Sequence, residues 1–198
     1  MRDRTSALSQ RLSTIAGGPL PGAEDLDRKV LSRRYKPGEH LFHQGDADGH
    51  VRLVICGLVK LVYEDAKGRA FTKSIVEGGD IFASMAALAG EGASFSAVAL
   101  TAAEVEQAPW SELQRQAARH HAWETASRRL FMDYARRKEA REFEFLTLSA
   151  AERWTRLTRE RPALVQAAPQ AELAALIGVT PVGLSRLKAR LRRCGLGD

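Results

Sequence analysis

The feature that most restricts what this chain can fold into is a change of character at Pro109. Before it, from about Val30 to Glu106, glycine turns cut the chain into short runs: Lys36-Pro37-Gly38, Gly45-Asp46, Cys56-Gly57, Lys67-Gly68 and Gly78-Gly79-Asp80. Glycine supplies the positive-φ turn conformations, and proline and aspartate pre-set turns of their own. The runs Val51–Ile55, Leu58–Tyr63, Ala70–Val76 and Ala97–Leu100 are β-branched, aromatic and aliphatic, as strands of a sandwich, jelly roll or barrel require. Met85–Leu88 fits one helical turn between two of them. After Pro109, neither proline nor glycine occurs through Leu146, and strong helix formers predict a long helix. The chain is therefore α+β, a β domain followed by helices.

Within the long helix, Trp123, Ala126, Leu130 and Tyr134 form an apolar stripe at helical spacing. Such a seam needs a partner, and a second copy of the chain is the expected one, with packing of the helix wholly against its own β domain as the alternative. Arg137 and Arg141 then occupy the stripe before Phe145 and Leu148 resume it, so the seam loosens there or turns towards another surface. Ser149 is a helix cap with Glu152 in the first turn of Ala150–Glu160, and Arg161-Pro162 ends that helix.

The last helical segment, Pro169–Leu191, carries two short helices around Gly178. Thr180-Pro181 is an N-cap hydroxyl followed by proline at the first helical position. Leu173, Leu176 and Ile177 share one face of the first helix, and Leu184, Leu187 and Leu191 one face of the second. A helix-turn-helix of this kind sets its second helix in the major groove of DNA. Opposite the leucines lie Val182, Arg186, Ala189 and Arg193, flanked by Ser185 and Arg190. Arg186 is expected to hold a guanine bidentately and Ser185 a base or phosphate. Val182 suits a thymine methyl, and Gln170, Arg190 and Arg193 suit phosphates. Thr180 opens this interface, whereas Lys188 projects nearer the buried side.

Charge agrees with that reading. Residues 1–118 carry 14 Lys/Arg against 15 Asp/Glu, and residues 119–198 carry 16 against 9, so the whole surplus of +6 is C-terminal. A basic segment bearing a helix-turn-helix is the electrostatic footprint of nucleic-acid binding. The N-terminus is too charged for a secretory signal and no apolar run approaches a membrane span. With Cys56 and Cys194 the sole cysteines, a disulfide framework is excluded and a cytoplasmic protein is expected.

The blocks YKPGEHLFHQGD, LVICGLVKLVYEDAKGR and SIVEGGDIFA, then the long helix, LTLSAAERWTRL and GVTPVGLSRLKARL, resemble in their order the Crp/Fnr family of bacterial transcription regulators. The resemblance covers nearly everything after about residue 25. It implies a cyclic-nucleotide-binding-like jelly roll within residues 1–110, a dimerisation helix over 111–148 and a helix-turn-helix domain over 149–198. It implies a homodimer reading palindromic double-stranded DNA, with RNA polymerase and a small-molecule effector as further candidate partners and no enzymatic activity. Only seven residues follow Leu191, so the extended β wing of many relatives is not expected.

The same resemblance places the effector pocket at Phe82, Ala83, Ser84, Phe95 and Ser96. Members that bind cyclic AMP have Gly-Glu where this chain has Ala83-Ser84, and arginine where it has Phe95. A phosphodiester there lacks its compensating cation, and Arg52, Lys60 and Arg69 stay open as substitutes. The adenine-contacting hydroxyls of the long helix give way to Lys138 and Glu139. An N-terminal cysteine cluster is missing, against an iron–sulfur centre. Strand alternation sets His40 and His43 on opposite faces, against haem or a metal. No cofactor is therefore expected. Two other readings are weaker. A cupin-type metal enzyme needs a His-x-His pair and a later histidine, whereas this chain has no histidine between His50 and His120. A nucleotide-binding module without DNA activity is opposed by the charge split.

Overall fold

The computed structural model describes residues 5–193. The last five of the seven residues on which the expected lack of a wing rests, Cys194 among them, lie outside the described residues. Two N-terminal helices, α1 (Ala7–Ala16) and α2 (Ala23–Asp27), precede eight strands: β1 (Leu31–Tyr35), β2 (His40–Phe42), β3 (His50–Cys56), β4 (Leu58–Glu64), β5 (Ala70–Glu77), β6 (Ile81–Phe82), β7 (Ser96–Ala99) and β8 (Ala103–Pro109). The short helix α3 (Met85–Leu88) lies between β6 and β7, as its sequence predicts. The strands form two four-stranded antiparallel sheets, ordered β1-β8-β3-β6 and β2-β7-β4-β5.

Alternation along the strands fills the space between the sheets with Val54, Val59, Leu61, Val76, Phe95 and Val105. Gly57 makes the β3–β4 turn at φ 84°, where an added Cβ would stand 2.2 Å from the Ala102 carbonyl oxygen. Only glycine fits that turn.

The long helix is not continuous. It is split into α4 (Trp110–Ala117) and α5 (His121–Thr147), with His120 in extended backbone as the N-cap of α5. Packing explains the break. On one straight helix, Leu113 and Ala126 would face about 140° apart, yet both are buried in the same cluster with Trp123, Leu8, Leu12 and Leu26. The indole of Trp123 also donates to the Pro21 carbonyl at 2.7 Å. The stripe expected to join two copies thus begins as core: Trp123 and Ala126 are covered by the chain's own N-terminal helices and β domain, and Leu130 packs on the same cluster.

Four helices follow: α6 (Ala150–Glu160), α7 (Pro162–Ala167), α8 (Gln170–Leu176) and α9 (Pro181–Arg193). Ser149 and Glu152 form a reciprocal capping box on α6, and Pro162 ends α6 by opening α7. Ser149→Ala is expected to cost about 1 kcal/mol, seen as a lower thermal midpoint with unchanged helical content at low temperature. These helices share one cluster, Trp154, Leu164, Leu173, Ile177, Leu184 and Leu187, which also buries Leu58 and Ile75 of the sheet. Two ion pairs tie the helices to the β domain: Lys60 with Glu172 at 2.6 Å, and Arg161 with Glu77 at 2.7 Å.

Candidate functional site

Helix α8 turns into α9 through Gly178 at φ 75°, and the Val179 amide closes the turn on the Ala174 carbonyl at 2.9 Å. The Thr180 hydroxyl accepts from the Gly183 amide at 3.0 Å, so it caps α9. With Leu184 and Leu187 buried against α8 and α6, the opposite side of α9 is open. Val182 is 60% exposed, and Ser185, Arg186, Ala189, Arg190 and Arg193 are exposed beside it, as is Gln170 at the start of α8. Among the described residues, no carboxylate pairs with Arg186, Arg190 or Arg193. Lys188 points the other way, its Nζ 5.3 Å from the centre of the Trp154 ring.

A cavity of about 450 Å³ lies between β4, β5, β6 and α5. Its apolar walls include Leu61, Val76, Phe82 and Ala83, with Tyr63, Tyr134 and Phe145 around them. Of the five residues expected in an effector pocket, Phe82 and Ala83 line this cavity. The other three expected pocket residues do not line it. Ser84 is turned inward to cap α3 and accept from the Ser94 amide at 2.9 Å. Phe95 is core, 5.6 Å from the Phe42 ring, and Ser96 is held by Gln44 and Glu64.

The three cations left open as substitutes are engaged elsewhere. Arg52 forms a buried pair with Asp48 at 2.5 and 2.7 Å, Lys60 holds Glu172, and Arg69 holds Asp65. The cavity's cations are instead Lys73, Arg137, Lys138 and Arg141. Arg137 and Arg141 are the pair that interrupts the apolar stripe, so the stripe does turn to another surface there. Burial and the neighbouring charges of Lys138, Arg141 and Arg137 push Lys73 down to about 8. Burial also lowers Arg141 and raises Tyr63 and Tyr134.

The cavity wall continues into the α8–α9 turn. Arg141 donates to the Leu176 carbonyl at 3.2 Å and Arg153 to that of Ile177 at 3.0 Å. Both guanidinium groups lie on the Phe145 ring, at 4.6 and 4.7 Å. A Cβ on Gly178 would come within 2.7 Å of that ring. The end of α5 is thus seated directly against the turn.

His40 and His43 do not lie on opposite faces as strand alternation implied. The rings of His40 and His43 stack at 4.1 Å, because β2 shifts register after His40 and ends at Phe42, so alternation does not separate them. Among the described residues, no group of three His, Cys, Asp or Glu is placed to hold a metal, the donor set a cupin-type enzyme needs. No described helix is long and apolar enough to cross a membrane.

Residues 32–120 match the family model of the cyclic nucleotide-binding domain. No curated protein matches the chain in sequence. Among solved structures, FixK2 from Bradyrhizobium japonicum aligns with a TM-score of 0.72 at 19% identity, over 84% of this chain and 86% of its own. The c-di-GMP responsive global regulator CLP of Xanthomonas campestris aligns at 0.63 and 20% identity, over 85% and 89%. The catabolite activator protein of Thermus thermophilus aligns at 0.53 and 23% identity, over 94% and 84%. The fold is shared with these proteins across the β domain and the helices that follow.

Proposed function

We propose that this chain, built on the architecture of the Crp/Fnr regulators, is a DNA-binding transcription regulator that acts as a homodimer and reads a twofold-symmetric site through α9. The observation that carries the reading is the exposed face of α9. Val182, Ser185, Arg186, Arg190 and Arg193 form an exposed, largely cationic row, without a carboxylate partner among the described residues and backed by leucines that fix the helix to α8. Arg186 forks onto a guanine. Ser185 and Val182 meet neighbouring base edges, and Gln170, Arg190 and Arg193 hold phosphates. The Thr180 hydroxyl is committed to its cap and supports the helix rather than selecting bases. The regulatory roles in the names of the catabolite activator protein and CLP agree with this assignment.

The dimer seam is assigned to the outer face of α5, where Met132, Ala135, Phe143 and Leu146 recur at helical spacing and all are exposed. Leu146, at 77%, is the most open of the exposed large hydrophobic residues. Leu146→Glu is expected to leave each protomer folded and to shift sedimentation from dimer to monomer. DNA affinity then falls about a hundredfold or more, because two linked half-site contacts become one.

The effector cavity adjoins the turn through Arg141 and Phe145, so occupancy there biases how the α8–α9 pair sits on α5. Fluorescence anisotropy on selected duplex DNA tests the function. The logarithm of the association constant is expected to fall linearly with the logarithm of salt concentration, as phosphate contacts release counterions. A monomeric protein, or affinity indifferent to salt, contradicts the reading.

A further inference from the structure

We propose that the cavity between β4–β6 and α5 binds a small organic anion with at least two negative charges on an apolar body, held by Lys73, Lys138 and Arg141. This rests on reading the cavity as the effector site and names the class of effector.

The first observation is a charge asymmetry. Four cations line the cavity and no aspartate or glutamate does. Arg137 is already matched, by Asp80 at 3.4 Å and Asp133 at 3.0 Å. Among the described residues, no carboxylate forms an ion pair with Lys73, Lys138 or Arg141. Lys73 and Arg141 are partly buried and Lys138 is exposed beside them. Glu144 offsets part of the Arg141 charge from outside the cavity, but the cluster as a whole is short of negative charge and costly to hold together. A ligand with one negative charge, such as a cyclic phosphodiester, compensates one of the three and leaves the others repelling.

The second observation is how Lys73 arrives there. The β4–β5 ladder pairs Leu61 with Ser74 and Val62 with Thr72, so Lys73 is the bulged residue with no partner across the strands. A bulge re-aims one side chain without breaking the sheet. Here it turns the ammonium over the rings of Phe95, Tyr63 and Tyr134, at 4.7, 6.0 and 5.8 Å. Those rings partly compensate the charge in the absence of an anion.

The third is polarity along the cavity. The end formed by Phe82, Ala83 and Leu61 is apolar, and the cations stand on β5 and α5. The anionic end of the ligand therefore points to the helix and its apolar end to the β roll. The volume suits a molecule of drug-like size.

Titration of the full chain with three naphthalene probes tests this: 2,6-naphthalenedicarboxylate and 1-naphthyl phosphate as dianions, and 2-naphthoate as the monoanion. Both dianions are expected to bind about tenfold tighter than 2-naphthoate, and their ranking distinguishes a dicarboxylate from a phosphorylated effector. Lys73→Met and Arg141→Met are each expected to weaken the dicarboxylate about tenfold, with little change for the monoanion. Lys138→Met, at an exposed position, carries the same test where a buried variant unfolds.

The pH profile supplies a second readout. The groups facing Lys73 are Tyr63 and Tyr134, both raised by burial, and the cationic side chains of Lys138, Arg141 and Arg137. Dicarboxylate affinity should fall about fivefold from about pH 7 to about pH 9.5 as Lys73 loses its proton, and stay level in Lys73→Met. Equal affinity for dianion and monoanion, or three variants that bind the dicarboxylate like the wild type, overturns the proposal. DNA binding measured on the same preparations separates the two readings. DNA retention without dianion preference overturns the effector class alone. Dianion preference without DNA retention overturns the regulator assignment alone.

Discussion

Replacing Arg186 by alanine is expected to abolish most sequence-specific DNA binding while leaving the fold intact. The side chain is exposed on α9 and free of carboxylate partners among the described residues, so its removal breaks nothing within the protomer. A bidentate arginine–guanine contact discriminates by about 1–3 kcal/mol. A dimer makes two such contacts, so the loss amounts to about 2–6 kcal/mol, or roughly thirtyfold to over ten-thousandfold in affinity. Discrimination at the contacted base pair should relax together with affinity. Arg190→Ala serves as the contrast: a phosphate contact weakens all sequences alike and lowers the salt slope by about one per contact. Anisotropy on matched and single-substituted duplexes distinguishes the two patterns, and an unchanged thermal midpoint confirms that neither is a folding effect.

Trp123→Ala is expected to have the largest effect on stability, about 3–5 kcal/mol. The indole is fully buried among Leu8, Leu12 and Leu113, and its loss also leaves the Pro21 carbonyl without the 2.7 Å hydrogen bond. Against the 5–15 kcal/mol typical of a folded domain, that is enough to populate unfolded protein near physiological temperature. Urea titration should show the midpoint moving sharply down. Were Trp123 on a seam between two copies, the same substitution would dissociate the dimer and leave protomer stability nearly unchanged. Together with Leu146→Glu, it separates the two faces of α5.

That contrast shows where the sequence stopped being legible. Periodicity established that Trp123, Ala126 and Leu130 must be buried, but it carries no information on what buries them. The answer lies in α1 and α2, whose leucines come from a segment without a strong pattern of its own. Elements with strong local signals were readable. Strands β3, β4 and β5 are β-branched runs between glycines, α6 opens on a capping box, and α9 on Thr180-Pro181. Strands β2 and β6 span only His40–Phe42 and Ile81–Phe82, too short for alternation to register. Strand β1 is mostly exposed and polar. Strand β8 buries Glu106, whose carboxylate accepts from the Leu8 amide at 2.7 Å, a contact across almost the whole β domain.

The open face of α9 was legible because one helix face depends only on helical spacing and on which residues are leucine. The cavity between the β domain and α5 was not. Three residues carried over from the resemblance proved to be core or capping groups, because the cavity depends on which strand faces α5. Arg137 and Arg141 did announce themselves by breaking the apolar stripe. Lys73 gave no such signal, since its position depends on a one-residue bulge that only strand pairing reveals.

The most direct test of the central claim is an unbiased selection of bound duplexes from random DNA, read by sequencing. A dimer presenting two α9 helices should enrich an inverted repeat with half-sites about 10–10.5 base pairs apart, or a multiple of that spacing, with a guanine at a fixed place in each half. The enrichment should vanish with Arg186→Ala. Recovery of DNA without twofold symmetry, or the same motif from wild type and Arg186→Ala alike, would contradict it.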